Sequence, residues 1–264
     1  MRSAFYVLVG LSFSSLTVAC DEAAAPAPAA ASAPVKSAAP TPATVAARPS
    51  AVPALSASQA PIAEIECASG KDVDFHDKVL EAEVRRKLQK PEGAIAKSEL
   101  SKVKSINLAK GEAVEYLDPC VFPHLTQVKD LFLGPGKLTD ISPLAKMSRL
   151  TSLRAAANPI SDVTPLAGLK ALDRLDLANT PLEDVKPLAS LTSLTELQLD
   201  GTQVKDITPL VTLVKLERLS LQRTLVKDVS ALKALTKLKF LYLAGTQVDN
   251  PHAASNPGLK IIGD

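Results

Sequence analysis

Few residues of this chain have the type and spacing that catalysis or metal binding requires. His76, His124 and His252 are scattered, and with Cys67 and Cys120 they do not have the spacing of a metal site. The sequence has no recognisable Ser/His/Asp or Cys/His set, no Gly-rich phosphate loop and no paired-carboxylate motif. We therefore predict no catalytic residue, no metal site and no cofactor, which favours a non-enzymatic function.

A column of aspartates recurs every 22 residues and could be taken for a row of cation ligands. Each Asp precedes Val or Ile, then one further residue, then Pro or Ala, so its carboxylate can cap the turn that follows. The prolines that follow three residues later form a second column, and they suit the fixed φ of a first turn. We interpret both columns as structural; they are Asp140, Asp162, Asp184, Asp206 and Asp228, and Pro143, Pro165, Pro187 and Pro209.

The 22-residue period extends through the C-terminal half of the chain. Its units begin at Leu150, Leu172, Leu194, Leu216 and Leu238, and their shared pattern is L-x-x-L-x-L-x-x-T-x-V-x-D-V-x-P-L-x-x-L-x-x. The Leu-x-Leu part alternates as a half-buried strand does, and the rest is too short for a regular α-helix. A fixed short period is typical of a solenoid, so one strand per coil should stack into a parallel sheet.

This pattern resembles the bacterial leucine-rich repeat family, specifically its internalin type, over about residues 75–264. The resemblance implies an α/β solenoid with parallel strands on a concave face, short turns or 3₁₀ segments on a convex face, and an N-terminal helical cap. Members of that family bind proteins through the concave face. One departure lies at the ninth position, where the family usually has Asn; here only Asn158 matches, and Thr180, Thr202, Thr224 and Thr246 stand elsewhere.

The outward-facing strand positions do not follow the repeat, so they are free to carry specificity. Arg and aromatic side chains among them are favoured anchors of protein interfaces. The alternative is that these side chains are solvated and that Phe240 and Tyr242 pack under the C-terminal tail. The predicted partner-binding residues are Arg154, Arg174, Asp176, Glu196, Gln198, Arg218, Phe240 and Tyr242.

The N-terminus has the pattern of an export signal. An apolar stretch follows Arg2 and ends in Leu-Thr-Val-Ala before Cys20, which resembles a bacterial lipoprotein signal with Cys20 as the lipidated first residue, although the favoured Leu lies one position early. The alternative is an ordinary secretory signal cleaved nearby. In an exported chain Cys67 and Cys120 can form a disulfide, and two free thiols are the alternative.

Composition divides the chain into five segments. Residues 1–19 read as a signal peptide and 20–63 as a disordered Ala/Pro-rich tether. Residues 64–102 read as a helical cap, with an amphipathic helix that Asp74 could cap, 103–250 as repeats and 251–264 as a C-terminal cap.

The expected function is that of an envelope-anchored module that faces outside the cytoplasm and binds a protein partner. We expect a monomer whose only membrane contact is a lipid anchor. The net charge of +2 gives no sign of nucleic-acid binding. A cell-wall or glycan-binding protein, with Phe240 and Tyr242 as platforms for sugars, is the alternative.

Overall fold

The computed structural model describes residues 65–111 and 113–263, so the predicted signal peptide and the whole of the predicted tether lie outside the described residues. The repeats form one parallel sheet in which each strand pairs with the next one along the chain. Its strands are β1 (Ser105–Asn107), β2 (Asp130–Phe132), β3 (Ser152–Arg154), β4 (Arg174–Asp176), β5 (Glu196–Gln198), β6 (Arg218–Ser220), β7 (Phe240–Tyr242) and β8 (Lys260–Ile262).

The 22-residue spacing becomes the register of this sheet. Leu153, Leu175 and Leu197 are direct neighbours on three successive strands, and all are buried. The strands are short, but backbone hydrogen bonds continue beyond them, for example from the Leu177 N–H to the Gln198 carbonyl at 3.0 Å. The predicted solenoid of parallel strands is therefore confirmed.

Short 3₁₀ helices cover the side of each coil opposite the strands. The aspartate column caps five of them as expected: in each of the five, one carboxylate oxygen accepts the N–H of the helix's first residue, as Asp206 does from Thr208 at 2.8 Å. The predicted 3₁₀ segments are therefore confirmed. They are Lys97–Lys102, Phe122–His124, Ser142–Lys146, Thr164–Gly168, Lys186–Ser190, Thr208–Thr212, Ser230–Ala234 and Pro251–Ala254.

Asn and Thr at the ninth position of the coil act differently. The Asn158 amide donates to the Gly134 carbonyl of the preceding coil at 2.8 Å and to Ala155 in its own coil at 3.1 Å. The Thr202 hydroxyl donates only within its own coil, to the Leu199 carbonyl at 2.7 Å. The shorter Thr side chain therefore satisfies a buried carbonyl without linking coils. In the Thr-containing coils, stacking depends on the backbone ladder, the leucines and other side-chain links, such as the Thr212 hydroxyl to the Ala189 carbonyl at 2.6 Å.

The N-terminal cap is built around helix α1 (Lys78–Leu88). Asp77, not Asp74 as the sequence suggested, is its N-cap, because its carboxylate accepts the N–H groups of Val79 and Leu80. Leu80 and Val84 are buried against the first coil, and the largely buried Glu83 accepts the Asn107 N–H of β1 at 3.2 Å. The helix thus covers the open end of the core.

None of the helices in the described part of the chain has the length and apolarity to span a bilayer.

The two remaining cysteines meet beside this cap. The sulfur atoms of Cys67 and Cys120 lie at bonding distance, and their Cα atoms are 5.3 Å apart. The arrangement brings the segment before α1 onto the first coil.

The eighth position of the coil requires a left-handed backbone, which the repeat pattern did not reveal. Its φ is positive in five successive coils, at Ala157 (55°), Asn179 (56°), Gly201 (66°), Arg223 (54°) and Gly245 (74°). Only glycine adopts this conformation without steric cost, and Asn tolerates it better than Ala or Arg.

We expect Ala157→Gly to stabilise the protein by about 0.5–1 kcal/mol, because it removes the steric cost of a left-handed alanine. The adjacent Ala156 does not have a positive φ, so Ala156→Gly should instead destabilise by about 0.5–1 kcal/mol. Urea denaturation of both variants measures the difference. Equal effects of the two substitutions would contradict the assigned backbone conformation.

Candidate binding surface on the concave face

The structure brings all eight predicted binding residues onto one face of the sheet. They form two adjacent columns across five strands, with Arg154 on β3 at one end and Phe240 and Tyr242 on β7 at the other. The three arginines are exposed and the other five side chains are half-buried. The surface is therefore continuous and accessible to a partner.

Cation–π contacts lie at both ends of this surface. The Arg154 guanidinium lies 5.7 Å from the centre of the Phe132 ring, and the Arg218 guanidinium lies 5.6 Å from that of Phe240. Lys260 of β8 lies 5.8 Å from Phe240 on the other side. Such contacts limit the freedom of long cationic side chains, so they are partly ordered before any partner binds. The C-terminal residues form β8 beside β7, and the rings of Phe240 and Tyr242 remain half-buried on the concave face.

A polar cavity of about 250 Å³ lies between β5, β6 and β7. Two of its residues, Asp200 and Gln222, were missed because they follow the strands, where most coils have Gly or Ala. Asp200 accepts the Ser220 hydroxyl and the Gln222 N–H, so its carboxylate connects neighbouring coils. The break in the column of small residues was the signal that could have found them. The cavity is lined by Glu196, Leu197, Gln198, Asp200, Arg218, Ser220, Gln222 and Tyr242.

The acidic side chains give the middle of the concave face a negative charge. Burial raises the pKa of the Asp176 carboxyl above its ordinary value, and nearby Asp200 and Glu196 act in the same direction. The Ala178 N–H, which donates to Asp176 at 3.0 Å, and the Arg154 guanidinium oppose this rise. A partially buried carboxylate of this kind destabilises the free protein and can be neutralised by a basic group of a partner.

A second group of potential ligand atoms lies beside the cap. His76, Asp118 and Cys120 each offer an atom within 4.8 Å of the others, the one such group of three in the part of the chain that the structure describes. The Cys120 sulfur is directed at Cys67, however, and the buried Asp118 carboxylate accepts the N–H groups of His76 and Cys120 at 2.8 and 2.9 Å. These contacts give the group a structural role in joining the cap to the first coil.

We expect Asp176→Asn and Asp206→Asn to change stability in opposite directions at pH 7. The raised pKa of Asp176 means that its ionisation opposes folding, so Asn should increase the melting temperature, by no more than about 3 °C. The pKa of Asp206 is lowered by its hydrogen bonds to the Thr208 side chain and N–H, so Asn should decrease the melting temperature.

The Asp176→Asn difference should shrink as the pH falls through the raised pKa of Asp176 towards about 4, whereas the Asp206→Asn difference should persist to about 4 and shrink below it, because the carboxyl of the unfolded chain is then protonated first. Thermal unfolding of the wild type and both variants at pH 7, 5 and 3 measures them. Changes of the same sign at pH 7 would show that the electrostatic environment of the concave face is not as described.

Comparisons with known proteins agree with this architecture. A family model for leucine-rich repeats, covering two copies, matches residues 170–212. A solved internalin (inlF) from Listeria monocytogenes is 28% identical, with a TM-score of 0.59 over 72% of this chain and 63% of that chain. The chain thus spans less than two thirds of that structure. Comparison with curated proteins gives no significant match.

Two further structures show the same fold at lower identity. Internalin C2 from Listeria monocytogenes is 24% identical, with a TM-score of 0.58 over 72% of this chain and 94% of that chain. A leucine-rich repeat protein from Leptospira interrogans is 18% identical, with a TM-score of 0.50 over 63% and 51%. With its 22-residue coils, parallel strands and 3₁₀ turns, the chain has the fold of bacterial leucine-rich repeat proteins of the internalin type.

Proposed function

We propose that this protein is a non-enzymatic module of the cell envelope that binds a protein partner through its concave face. The fold is one used by protein-interaction modules. One observation carries the proposal: the eight predicted binding residues, which do not follow the 22-residue period, all lie on one accessible face, where neighbouring coils already order several of them. Repeating positions serve the stacking of coils, and these positions do not.

The charge pattern of the concave face describes the partner it would fit. Arginines at 154 and 174 are followed by the acidic residues Asp176, Glu196 and Asp200, and then by Arg218 and Lys260. Because strands are about 4.8 Å apart, this pattern extends over roughly 24 Å from β3 to β8. A partner with a basic centre flanked by acidic groups would be complementary in charge, and the aromatic rings would supply apolar contact.

The partner can be identified by placing a photo-crosslinking residue at Gln198 and, as a control, at Thr208 on the opposite side of the same coil. With the partner in hand, we expect Arg174→Glu combined with Arg218→Glu to weaken binding at least about thirty-fold, because two interface arginines change sign. Titration calorimetry with the purified partner measures this change.

The matched control reverses two exposed lysines of the convex 3₁₀ helices, Lys186→Glu with Lys233→Glu, and changes the net charge equally. It should leave affinity within about two-fold. Equal weakening by both pairs, or crosslinking at position 208 but not at 198, would move the binding site away from the concave face.

A cell-wall or glycan-binding role is the second candidate. The observation that favours it is the polar cavity beside Tyr242, since an aromatic ring next to carboxylate and amide groups suits a sugar. Sedimentation with purified cell wall separates this role from protein binding. Retention of the protein by cell wall, and its loss in Tyr242→Ala, would favour the glycan.

The proposed organisation places this module outside the cytoplasm. Residues 1–19 would be removed as a signal peptide, Cys20 would carry the lipid, and residues 20–63 would be the tether to the cap (64–102), the repeats (103–250) and the C-terminal cap (251–264). We propose that Cys67 and Cys120 are bonded in the exported monomer. A bond across 53 residues would stabilise the folded state by about 4 kcal/mol in the chain-entropy model.

These proposals predict that the mature protein has no free thiol. Cys20 would be blocked by the lipid, and the other two cysteines would be blocked by each other. Alkylation of the denatured protein, purified from membranes and analysed by mass spectrometry, should therefore add no label before reduction and two labels after it. A third label after reduction would contradict lipidation of Cys20, and two labels before reduction would contradict the disulfide.

A further inference from the structure

Each coil crosses twice between the concave and convex sides, which gives the solenoid two lateral edges. The entry edge consists of the segments that run from a 3₁₀ helix to the next strand, and the exit edge consists of those that run from a strand to the next 3₁₀ helix. The entry segments are 103–104, 125–129, 147–151, 169–173, 191–195, 213–217, 235–239 and 255–259, and the exit segments are 108–121, 133–141, 155–163, 177–185, 199–207, 221–229 and 243–250.

Charge is strongly divided between these edges. Among the described residues, the entry edge has seven basic and two acidic residues, whereas the exit edge has five basic and ten acidic residues. The net charge of +2 hides this division because the two edges nearly cancel. The basic residues of the entry edge are Lys104, Lys129, Arg149, Lys170, Lys215, Lys237 and Lys239.

Folding accounts for much of the acidic edge but not for the basic one. The repeating aspartates of the exit edge cap the 3₁₀ helices, so they have a structural purpose. On the entry edge all seven basic side chains are exposed, and among the residues that the structure describes only Lys239 has an ion-pair partner, Glu217 at 2.8 Å. A row of unpaired like charges opposes folding by mutual repulsion, so it points to a partner that is not part of the chain.

The positive charge extends into the neighbouring 3₁₀ helices. Lys102, Lys146 and Lys233 lie in these helices and are exposed. At the N-terminal end, burial lowers the pKa of His124, and Lys97 and Lys146 lower it further. Since the strands are about 4.8 Å apart, the basic row is roughly 30 Å long.

We propose that the entry edge docks on an anionic phospholipid surface. A row of exposed cations matches the dense phosphate groups of acidic lipids. This would be a membrane contact beyond the lipid anchor that the sequence suggested.

The choice of a lipid surface over another polyanion rests on the proposed anchor. A lipid on Cys20 would confine the domain to the neighbourhood of the bilayer, where weak electrostatic attraction is sufficient for docking. Docking by the entry edge would also leave the concave face open to a protein partner, because the edge and that face are different sides of the coil.

Two adjacent coils offer a matched test of this proposal. Lys215 and Lys237 lie on the entry edge, and Lys205 and Lys227 lie on the exit edge of the same two coils. All four are exposed and have no ion-pair partner among the described residues. Lys215→Glu with Lys237→Glu therefore changes the net charge by the same amount as Lys205→Glu with Lys227→Glu.

The experiment uses unlipidated chain 21–264 and vesicles of phosphatidylcholine with or without 30% phosphatidylglycerol. In 50 mM salt we expect the wild type to sediment with the acidic vesicles only, and to be released in 500 mM salt. The entry-edge variant should bind at least ten-fold more weakly, whereas the exit-edge variant should bind within two-fold of the wild type. Circular dichroism checks that both variants are folded.

Three outcomes would overturn the proposal: no binding of the wild type to acidic vesicles or to soluble poly-L-glutamate, binding to poly-L-glutamate with no binding to vesicles, or equal weakening in both variants. Because the protein used carries no lipid and the substitutions avoid the concave columns, none of these outcomes bears on protein binding by the concave face.

Discussion

The in-register stacking of coils is the constraint on which the rest of this structure depends. A single coil has a strand of three residues, and the hydrogen bonds of that strand go to its neighbours. Its buried leucines have partners only if the next coil places its own leucines at the same height. A change of one residue in the period would turn these side chains from the core to the surface. The fixed spacing of 22 residues therefore follows from how the coil is stabilised.

Stacking also determines which positions of the repeat are available for binding other molecules. Because every coil repeats the same path, each position of the repeat becomes a row along the solenoid. Rows that face the core must be apolar, and rows at the turns need Asp, Pro or a left-handed residue. The remaining rows, on the concave face and on the entry edge, are free of these demands. Both functional proposals concern these free rows, and they concern different sides of the molecule.

The rows set by stacking could be predicted from the sequence, since a repeated requirement produces a repeated residue. The strands, the convex 3₁₀ helices and the role of the aspartates follow from the period in this way. Features that depend on contact between unlike coils could not be predicted. Asp200 and Gln222 depart from a column of small residues, and the link between Asp200 and Ser220 exists only once β5 and β6 are paired.

Three other features were missed, each for a different reason. The left-handed eighth position is filled by Ala, Asn, Gly and Arg, so no single residue marks it. The choice of Asp77 over Asp74 as the helix cap depends on where α1 begins, which the apolar pattern defines only to within a turn. The basic entry edge was hidden because its lysines occupy different positions of successive units and because the net charge of the whole chain is small.

The central claim is that repeating positions stabilise this protein and non-repeating concave positions bind its partner. A substitution scan of one complete coil, residues 194–215, tests it most directly when each variant is measured for both resistance to proteolysis and partner capture. The account predicts that changes at Leu197, Leu199 and Leu210 reduce resistance, whereas changes at Glu196 and Gln198 reduce capture and leave resistance unchanged. Loss of capture confined to variants that have also lost resistance would contradict it.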